Sequence, residues 1–294
     1  MHPGQVNMSP QVVAALVAEQ FPRWRDLEVR SVLSHGTVNA LYRLGDDITL
    51  RFPLRPTAES WMREHLDSLR DHTQRISAHV PVSIPEQLAI GEPGAGYAGL
   101  WSAQRWIPGE PVHAHSIIDF DVFARELGGF ISALRSVDTA GRTWDGVSRG
   151  GALSTLDEKV RVSLAASTHL TDTDQLIIQW QECLEAPTWQ SEDVWIHADL
   201  MPGNLLVRDG MLTAVIDWEM AGVGDPAVDL MPAWNLLPAE ARSTFRRTVD
   251  VDEATWTRGR GWALAQAIIA LPYYVTTNPV MADTARHTIG ALVG

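Results

Sequence analysis

The sequence predicts an α+β fold with two lobes, a β-rich N-lobe over residues 1–107 and a mainly helical C-lobe over residues 108–294. Its 294 residues exceed one minimal core and are few for three domains. Strand and hairpin patterns concentrate before Pro108, whereas helical periodicity dominates after it. Apolar residues make up 45% of the chain and charged residues 20%, which is typical of a globular protein with a real core.

The N-lobe begins with a helix signal, because Ser9 is a capping residue and Pro10 suits the first helical position. Two β-rich stretches follow at residues 27–33 and 40–52, and the second turns back on itself at residues 45–47, Gly-Asp-Asp. The remaining predicted elements are a long helix over residues 57–79, a turn-rich hairpin at 91–99 and a strand at 100–107.

The C-lobe is predicted from amphipathic segments. Residues 119–137 place phenylalanine, leucine and isoleucine at helical spacing, and residues 156–166 and 173–184 repeat the pattern. A short strand at 194–196 leads into a compact hairpin region that ends near Trp218, and helices follow to the end. The longest apolar stretch, 262–275, is shorter than the ~20 residues of a membrane span, so we expect a buried helix.

The charge balance limits the classes of partner. A formal net charge of −13 argues against a nucleic-acid partner, because that binding relies on basic surface. It suits a small-molecule substrate that is cationic, and it equally serves solubility. With no secretory signal in residues 1–10, no membrane span and a lone Cys183, we expect cytoplasmic residence. The sequence does not indicate an oligomeric state.

The informative segment for chemistry is HADLMPGNLLV at residues 197–207, followed by AVIDWE at 214–219. An Asp-Gly turn at residues 209–210 predicts that the flanking segments pair antiparallel. With two central turn residues, Asn204 lies opposite Val215, and Asp217 is a diagonal neighbour ~7–8 Å away on the same face. An amide oxygen and a carboxylate in that arrangement suit Mg²⁺.

Asp199 comes five residues before Asn204, in a loop sharpened by Pro202 and Gly203. A carboxylate held there is placed to accept a hydrogen bond from an incoming hydroxyl and to orient it for in-line attack. A single aspartate in a turn is more often a cap. Together with Asn204 and Asp217, however, the functional interpretation is the stronger one.

These motifs resemble the aminoglycoside phosphotransferase and choline kinase branch of the protein-kinase-like fold. The branch signature is H-G-D-x-x-x-x-N, I-D-W/F and G-D-P-x-x-D-L, which match residues 197–204, 216–218 and 224–230. Ala198 replaces the usual glycine. The resemblance implies that Asp199 is the catalytic base, that His197 supports its loop, and that Asn204 and Asp217 hold Mg²⁺. It also implies that Asp225 and Asp229 brace the loop.

In the N-lobe, kinase-like folds use a strand cation on the phosphates of the nucleotide, paired with a helix glutamate. Lys159 is the only lysine, so a lysine is excluded there. The resemblance points to Arg51 and Glu64, with Arg55 as the competitor if the register slips. It also places His35, Gly36 and Thr37 over the phosphates, and the backbone groups of Gln104 and Trp106 at the purine. No Walker motif occurs.

The predicted function is therefore a small-molecule kinase that uses ATP or GTP and Mg²⁺ to phosphorylate a hydroxyl, with an antibiotic such as an aminoglycoside as the leading acceptor. Macrolides, metabolite alcohols such as choline or a sugar, and a non-catalytic nucleotide-binding module are the alternatives. An acidic cluster at Asp250, Asp252 and Glu253 would attract amines, but as a solvated charge run it has a simpler explanation. An acidic pocket would favour a polyamine and an apolar one a macrolide, and the sequence does not decide between them.

Overall fold

The computed structural model describes residues 8–33, 38–55, 57–113 and 116–294. The chain divides into two compact units, Met1–Arg75 with Ile84–Pro108, and Ile76–Ser83 with Gly109–Gly294. The division near Pro108 lies one residue from the expected one, but the short segment before Ile84 belongs to the second unit. The reason is a backbone pairing, since Ser83 donates to the carbonyl of Thr213 at 2.9 Å and accepts from Val215 at 3.0 Å.

The first unit contains a five-stranded antiparallel sheet in the order β1-β2-β3-β5-β4. The predicted hairpin at residues 45–47 is present, because Leu44 pairs with Ile48 across the turn. Its strands are β1 (Val29–Val32), β2 (Asn39–Leu44), β3 (Ile48–Pro53), β4 (Gln87–Gly91) and β5 (Trp101–Arg105).

Two helices accompany this sheet, α1 (Pro10–Gln20) and α2 (Glu59–Ser77). The Ser9 side chain accepts a hydrogen bond from the backbone of Val12 at 3.4 Å, and proline occupies the first turn. Helix α1 therefore begins where the capping signal predicted. Helix α2 lies within the predicted residues 57–79, two residues shorter at each end.

Aromatic packing fills the core of the first unit. Phe52 stacks on Trp101 with ring centroids 4.9 Å apart, and Tyr97 meets Phe52 edge-on at 5.2 Å. Glycine at position 91 is a steric requirement, since a Cβ there would lie 1.9 Å from the Trp101 ring. The large indole of Trp101 therefore packs directly against the backbone of Gly91 on the neighbouring strand.

The second unit has two small antiparallel sheets. One has the strand order β6-β8-β9 and the other pairs β7 with β10. The strands are β6 (Glu110–Pro111), β7 (Val194–Ile196), β8 (Leu205–Arg208), β9 (Met211–Val215) and β10 (Gly222–Gly224).

Seven helices of the second unit are described: α3 (Phe120–Arg135), α4 (Asp157–Ala166), α5 (Asp174–Glu185), α6 (Pro232–Asn235), α7 (Ala239–Val249), α8 (Glu253–Tyr274) and α9 (Pro279–Val293). Helix α8 contains the predicted apolar stretch and is buried over much of its length. Gly259 allows it to approach the chain after β10, since a Cβ there would lie 2.7 Å from the Leu230 Cβ. Among the described residues, none of the helices combines the length with the apolarity that a membrane span requires.

A buried ion pair joins α8 to the segment after β10. Arg258 donates to both carboxylate oxygens of Asp225, at 2.6 and 3.1 Å, and the side chains are 4% and 5% exposed. The same guanidinium also donates to the carbonyl of Pro187 and to the Thr255 hydroxyl. Because both charges have several partners, the pair fixes the position of α8 against this segment.

We expect Arg258→Ala to lower the unfolding free energy by ~3–5 kcal/mol, because it leaves the Asp225 carboxylate buried and unpaired. The matched control is Arg260→Ala, two residues along the same helix, where the arginine pairs with the half-exposed Glu182 at 2.9 Å. That control should cost no more than ~1 kcal/mol. Chemical denaturation of both variants measures the difference, and equal losses would contradict the assigned role of the buried pair.

Candidate active site

The loop between β7 and β8 holds Asp199 and Asn204 together. The Asn204 amide nitrogen donates to the Asp199 carboxylate Oδ2 at 3.1 Å and to the Asp199 carbonyl at 2.9 Å. The Met201 N–H also donates to that carbonyl at 2.8 Å. The two predicted site residues are therefore in direct contact. Since the Asn204 nitrogen is used in this way, its carbonyl oxygen Oδ1 is the atom left for a ligand.

The predicted register of the following hairpin was wrong by one residue. Leu205, rather than Asn204, pairs with Val215, because β9 carries a bulge at Thr213. The bulge has a physical cause. The carbonyl of Thr213 bonds to Ser83 on the outer edge of β9, while its hydroxyl donates back to Leu206 at 3.2 Å. Asn204 instead accepts from the backbone of Ile216 at 2.9 Å.

Asp217 follows β9 in a left-handed backbone conformation, with φ +65° and ψ +61°. The next residue, Trp218, is buried, and its indole N–H donates to the carbonyl of Val215 at 2.8 Å. Because the strand ends and the chain turns here, Asp217 is half-buried beside the end of the hairpin. The bond between Ile216 and Asn204 keeps the two predicted metal ligands on neighbouring segments.

Asp229 holds the start of the loop. Its two carboxylate oxygens accept the backbone N–H groups of His197, at 2.8 Å, and Ala198, at 2.7 Å. Asp229 is fully buried. Burial raises the pKa of its carboxyl to about 7, and the two N–H donors oppose that shift because they stabilise the charged form. This is the bracing contact that the resemblance implied.

His197 is also fully buried, and burial lowers the pKa of its imidazole below the usual value. Its Nε2 lies 3.0 Å from the carbonyl of Ile216, and its Nδ1 lies 3.3 Å from the N–H of Asp199. These partners indicate a neutral ring with the proton on Nε2. The ring therefore links the loop to the residue before Asp217.

Ala198 adopts a left-handed conformation with φ +64°. For a residue with a Cβ this conformation costs ~1–2 kcal/mol, which explains why the related motif has glycine there. The loop nevertheless keeps its hydrogen bond from Ala198 to Asp229. The replacement leaves this bond of the loop intact but introduces local strain.

Arg149 contacts the same carboxylate and was not found from the sequence. One guanidinium nitrogen pairs with Asp199 Oδ1 and donates to the carbonyl of Ala198 at 2.9 Å. The next residue, Gly150, accepts a backbone hydrogen bond from Asp225 at 2.8 Å, which anchors the arginine loop beside β10. The only signal in the sequence is an arginine before two glycines, which is too weak to predict a site residue.

Two amides from the helices complete the surroundings of the loop, and the sequence did not reveal them either. Gln266 of α8 donates to Asp199 Oδ1 at 3.4 Å. Asn235 of α6 donates to the carbonyl of Leu200 at 3.0 Å. Three side chains therefore contact the Asp199 carboxylate: the guanidinium of Arg149 and the amides of Asn204 and Gln266. They come from distant parts of the sequence.

The donor set fits the expected magnesium ion. Asn204 Oδ1 and the Asp217 carboxylate are hard oxygen ligands, which Mg²⁺ prefers, and few protein ligands are needed when phosphate oxygens complete the shell. No group of three histidine, cysteine, aspartate or glutamate side chains positioned for a metal occurs in the described part of the chain.

Arg51 lies in the middle of the first sheet, where β3 pairs it with Leu41 and Ser102, and it is 9% exposed. Glu64 lies on α2, where its side chain is exposed. Its pairing with Arg51 stays a prediction.

The residues predicted to contact the purine, Gln104 and Trp106, lie in β5 and directly after it. The N–H of Trp106 donates to the carbonyl of Asp47 at 2.7 Å, and Gln104 lies within β5, paired with Thr49 and Gln87. Their N–H groups therefore serve the sheet. Ile107 is the first residue past these bonds. His35, Gly36 and Thr37 lie outside the described residues.

The acidic residues that were considered for binding amines have structural partners. Asp252 caps α8 by accepting from the backbone of Thr255 at 2.6 Å, and Glu253 pairs with Arg246. Asp250 ends α7 in a left-handed conformation with φ +48°. The positions of these three residues at the end of α7 and the start of α8 therefore account for the cluster.

The pKa of Asp229 predicts a pH dependence. The folded chain retains a proton on this carboxyl up to about pH 7, whereas the unfolded chain loses it near pH 4. Its contribution to stability is therefore full below about pH 4 and is lost as the pH rises through 7. We expect the unfolding free energy of the wild type, relative to Asp229→Asn, to fall across this range.

Chemical denaturation of both proteins at several pH values measures this difference. His197 titrates in both proteins, so its contribution cancels to a first approximation. A constant or rising difference would contradict the raised pKa.

The model of the Phosphotransferase enzyme family (APH) matches residues 29–262. None of the curated proteins matches the chain significantly.

Two solved aminoglycoside phosphotransferases are similar in fold. Aminoglycoside 2'-phosphotransferase-IIIa with GDP has a TM-score of 0.71 at 17% identity, covering 97% of this chain and 99% of that one. A second, with GDP and kanamycin, has a TM-score of 0.69 at 19% identity, covering 96% and 97%.

A macrolide 2'-phosphotransferase from Brachybacterium faecium, MphH, is also similar in fold. It has a TM-score of 0.61 at 21% identity, with 95% of this chain and 97% of that chain covered. The fold is therefore the bilobal kinase-like one that the sequence predicted, with an antiparallel sheet in one unit and helices in the other. Because the family model spans most of the sequence, the chain belongs to the Phosphotransferase enzyme family.

Proposed function

We propose that this phosphotransferase is a small-molecule kinase that transfers the γ-phosphate of a nucleoside triphosphate to an alcohol. The observation that carries the proposal is the hydrogen bond between Asn204 and Asp199, at 3.1 Å. One loop therefore carries both a carboxylate suited to the acceptor hydroxyl and an amide oxygen suited to a cation. Phosphorylation of an antibiotic hydroxyl in the cytoplasm would make the chain a resistance enzyme.

Asp199 is the proposed hydroxyl-orienting residue. Its carboxylate accepts a hydrogen bond from the acceptor hydroxyl, whose oxygen then attacks the γ-phosphorus in line. The new oxygen–phosphorus bond forms as the bond from the γ-phosphorus to its bridging oxygen breaks, and the nucleoside diphosphate leaves. The hydroxyl proton passes to Asp199 and then to solvent. Arg149, Asn204 and Gln266 hold the carboxylate, so little reorganisation is needed.

Asn204 and Asp217 are the proposed ligands of Mg²⁺, which when bound neutralises charge on the phosphates. The chain supplies the two oxygen donors and fixes them through the backbone bond from Ile216 to Asn204. His197 and Asp229 act as positioning residues, because they hold the backbone of the loop.

Arg51 is the proposed phosphate contact in the first unit, because it is a buried cation on a central strand. A guanidinium binds phosphate oxygens in pairs and stays charged. ATP or GTP is the proposed donor, and the two aminoglycoside phosphotransferases compared above were solved with GDP. Glu64, His35, Gly36 and Thr37 remain predicted members of the nucleotide site. The backbone groups of Gln104 and Trp106 remain the predicted contacts to the purine.

We expect Asp199→Ala to lower turnover at least ~10²-fold, the lower range of general-base effects, while nucleotide binding is largely kept. Release of nucleoside diphosphate and transfer to the acceptor give the rate, and calorimetry gives nucleotide affinity. The control is Asp283→Ala, which removes an exposed carboxylate of α9 that pairs with Arg286. Near-normal turnover of the Asp199 variant would remove this mechanism.

We expect Arg149→Ala to lower kcat by about tenfold, because Asp199 loses the partner that orients it. In the Asp199→Ala background the same change should have no further effect, since the two residues act as a unit. Arg142→Ala serves as the control, because that arginine is exposed. Additive losses in the double variant would show that Arg149 acts independently of Asp199.

A further inference from the structure

The sulfur of Met201 lies where two helices support the catalytic loop. It accepts a hydrogen bond from the side-chain amide of Gln266 on α8 at 3.4 Å and another from that of Asn235 on α6 at 3.5 Å. The backbone N–H of Met201 donates to the carbonyl of Asp199 at 2.8 Å. Met201 therefore connects the proposed catalytic residue to both of these amides.

Each amide is shared between the sulfur and an oxygen of the loop. The nitrogen of Gln266 also donates to Asp199 Oδ1 at 3.4 Å, and that of Asn235 also donates to the carbonyl of Leu200 at 3.0 Å. The bond to Asp199 is longer than the usual ~2.7–3.2 Å, which makes it the weaker of the two. Because a thioether sulfur is a weak acceptor, the loop oxygens keep both donors as long as the sulfur is reduced.

A small oxidant can reach this sulfur. Met201 is half-buried, and it lines a narrow space between α6, α8 and α9. That space has room for about one water molecule, and hydrogen peroxide is only slightly larger. Met231, Met281 and several alanines line the same space. It is therefore too small for an organic substrate but admits a peroxide.

We propose that Met201 is a site of reversible oxidation that lowers the turnover of the enzyme. Hydrogen peroxide transfers one oxygen atom to the thioether sulfur, the O–O bond breaks, and water leaves. The sulfur gives up two electrons, which reduce the peroxide, and the product is methionine sulfoxide. The inference rests on the proposed function, because the effect on turnover acts through the Asp199 carboxylate.

A sulfoxide oxygen changes the competition for the two amides. It is polar and accepts hydrogen bonds strongly, whereas the thioether sulfur accepts them weakly. An N–H···O bond needs ~2.7–3.2 Å between nitrogen and oxygen, so an amide that faces the new oxygen has to move away from the sulfur to meet it. Gln266 then loses its long bond to Asp199, and the carboxylate loses one of its three contacts.

Either epimer of the sulfoxide disturbs the loop. An oxygen directed at the amides displaces them, whereas one directed away from them puts a polar group beside Met231 and Met281 without a partner. The loop then has to shift so that the oxygen reaches solvent. Because a 1 Å misplacement of a catalytic group costs up to ~10²-fold in rate, we expect oxidation of Met201 to lower kcat at least ~10-fold.

The test compares the untreated and the peroxide-treated full chain with Mg²⁺ and either ATP or GTP. Release of nucleoside diphosphate is measured with kanamycin, with erythromycin and with water as acceptor, and peptide mapping by mass spectrometry gives the oxidised fraction of each methionine. We expect the loss of kcat to follow the oxidation of Met201. Methionine sulfoxide reductases A and B, one for each epimer, should restore kcat. Recovery with dithiothreitol alone would indicate a cysteine product at Cys183 and overturn the inference.

Three variants separate Met201 from the other methionines. Met201→Leu removes the sulfur but keeps an apolar side chain of similar size, so its kcat should not fall after peroxide treatment, relative to its own untreated value. The matched control is Met211→Leu, because Met211 is 54% exposed on β9, and this variant should stay as sensitive as the wild type. Met201→Gln offers the amides a permanent oxygen, so it should have a low kcat without peroxide and an unchanged KM for the nucleotide.

Two results with these variants overturn the inference. One is equal sensitivity of Met201→Leu and Met211→Leu to peroxide, and the other is a wild-type kcat for untreated Met201→Gln. The thermal midpoint of each protein is measured before and after treatment. A loss of kcat that is matched by unfolding in both leucine variants would show general damage and also overturn it.

Failure of the inference is distinguishable from failure of the proposed function. If the untreated wild type and Asp199→Ala release nucleoside diphosphate at the same rate with every acceptor, the proposed function fails, and the inference fails with it. If release depends on Asp199 but is unchanged when Met201 is fully oxidised, only the inference is overturned.

Discussion

The site depends on one buried carboxylate. Asp229 accepts the N–H groups of His197 and Ala198, and this pair of bonds fixes the chain just before Asp199. Burial disfavours the charged form of the Asp229 carboxyl, and its raised pKa reflects this. The two bonds therefore fix the conformation of the loop before the reaction begins. The neutral imidazole of His197 extends the same network to Ile216, so the segments that carry Asp199 and Asp217 share one backbone framework.

Local patterns predicted much of the fold because the signals were local. The hairpin at residues 45–47, helix α2, helix α3 and the strand at 194–196 each follow from turn residues, caps or periodicity. The contact between Asp199 and Asn204 was also accessible, since five residues separate them. The register of β8 and β9 was not accessible, because the bulge at Thr213 depends on a partner, Ser83, that lies 130 residues earlier in the chain.

Tertiary contacts account for what the sequence could not predict. Arg149, Asn235 and Gln266 meet at one loop although each comes from a different element, and none belongs to a motif. The acidic residues at the ends of α7 and α8 illustrate the converse, since they have structural partners there. A residue type that suits a role is not evidence for that role until its position is known.

The burial of Arg51 within β3 has a practical consequence. Nucleotide reagents that acylate kinases act on a lysine amine, which is nucleophilic when neutral, whereas a guanidinium remains protonated at any ordinary pH. With Lys159 as its only lysine, on α4, the chain offers such reagents no amine on the strand where kinases present one. Reagents that acylate amines would therefore find no target on that strand of this chain.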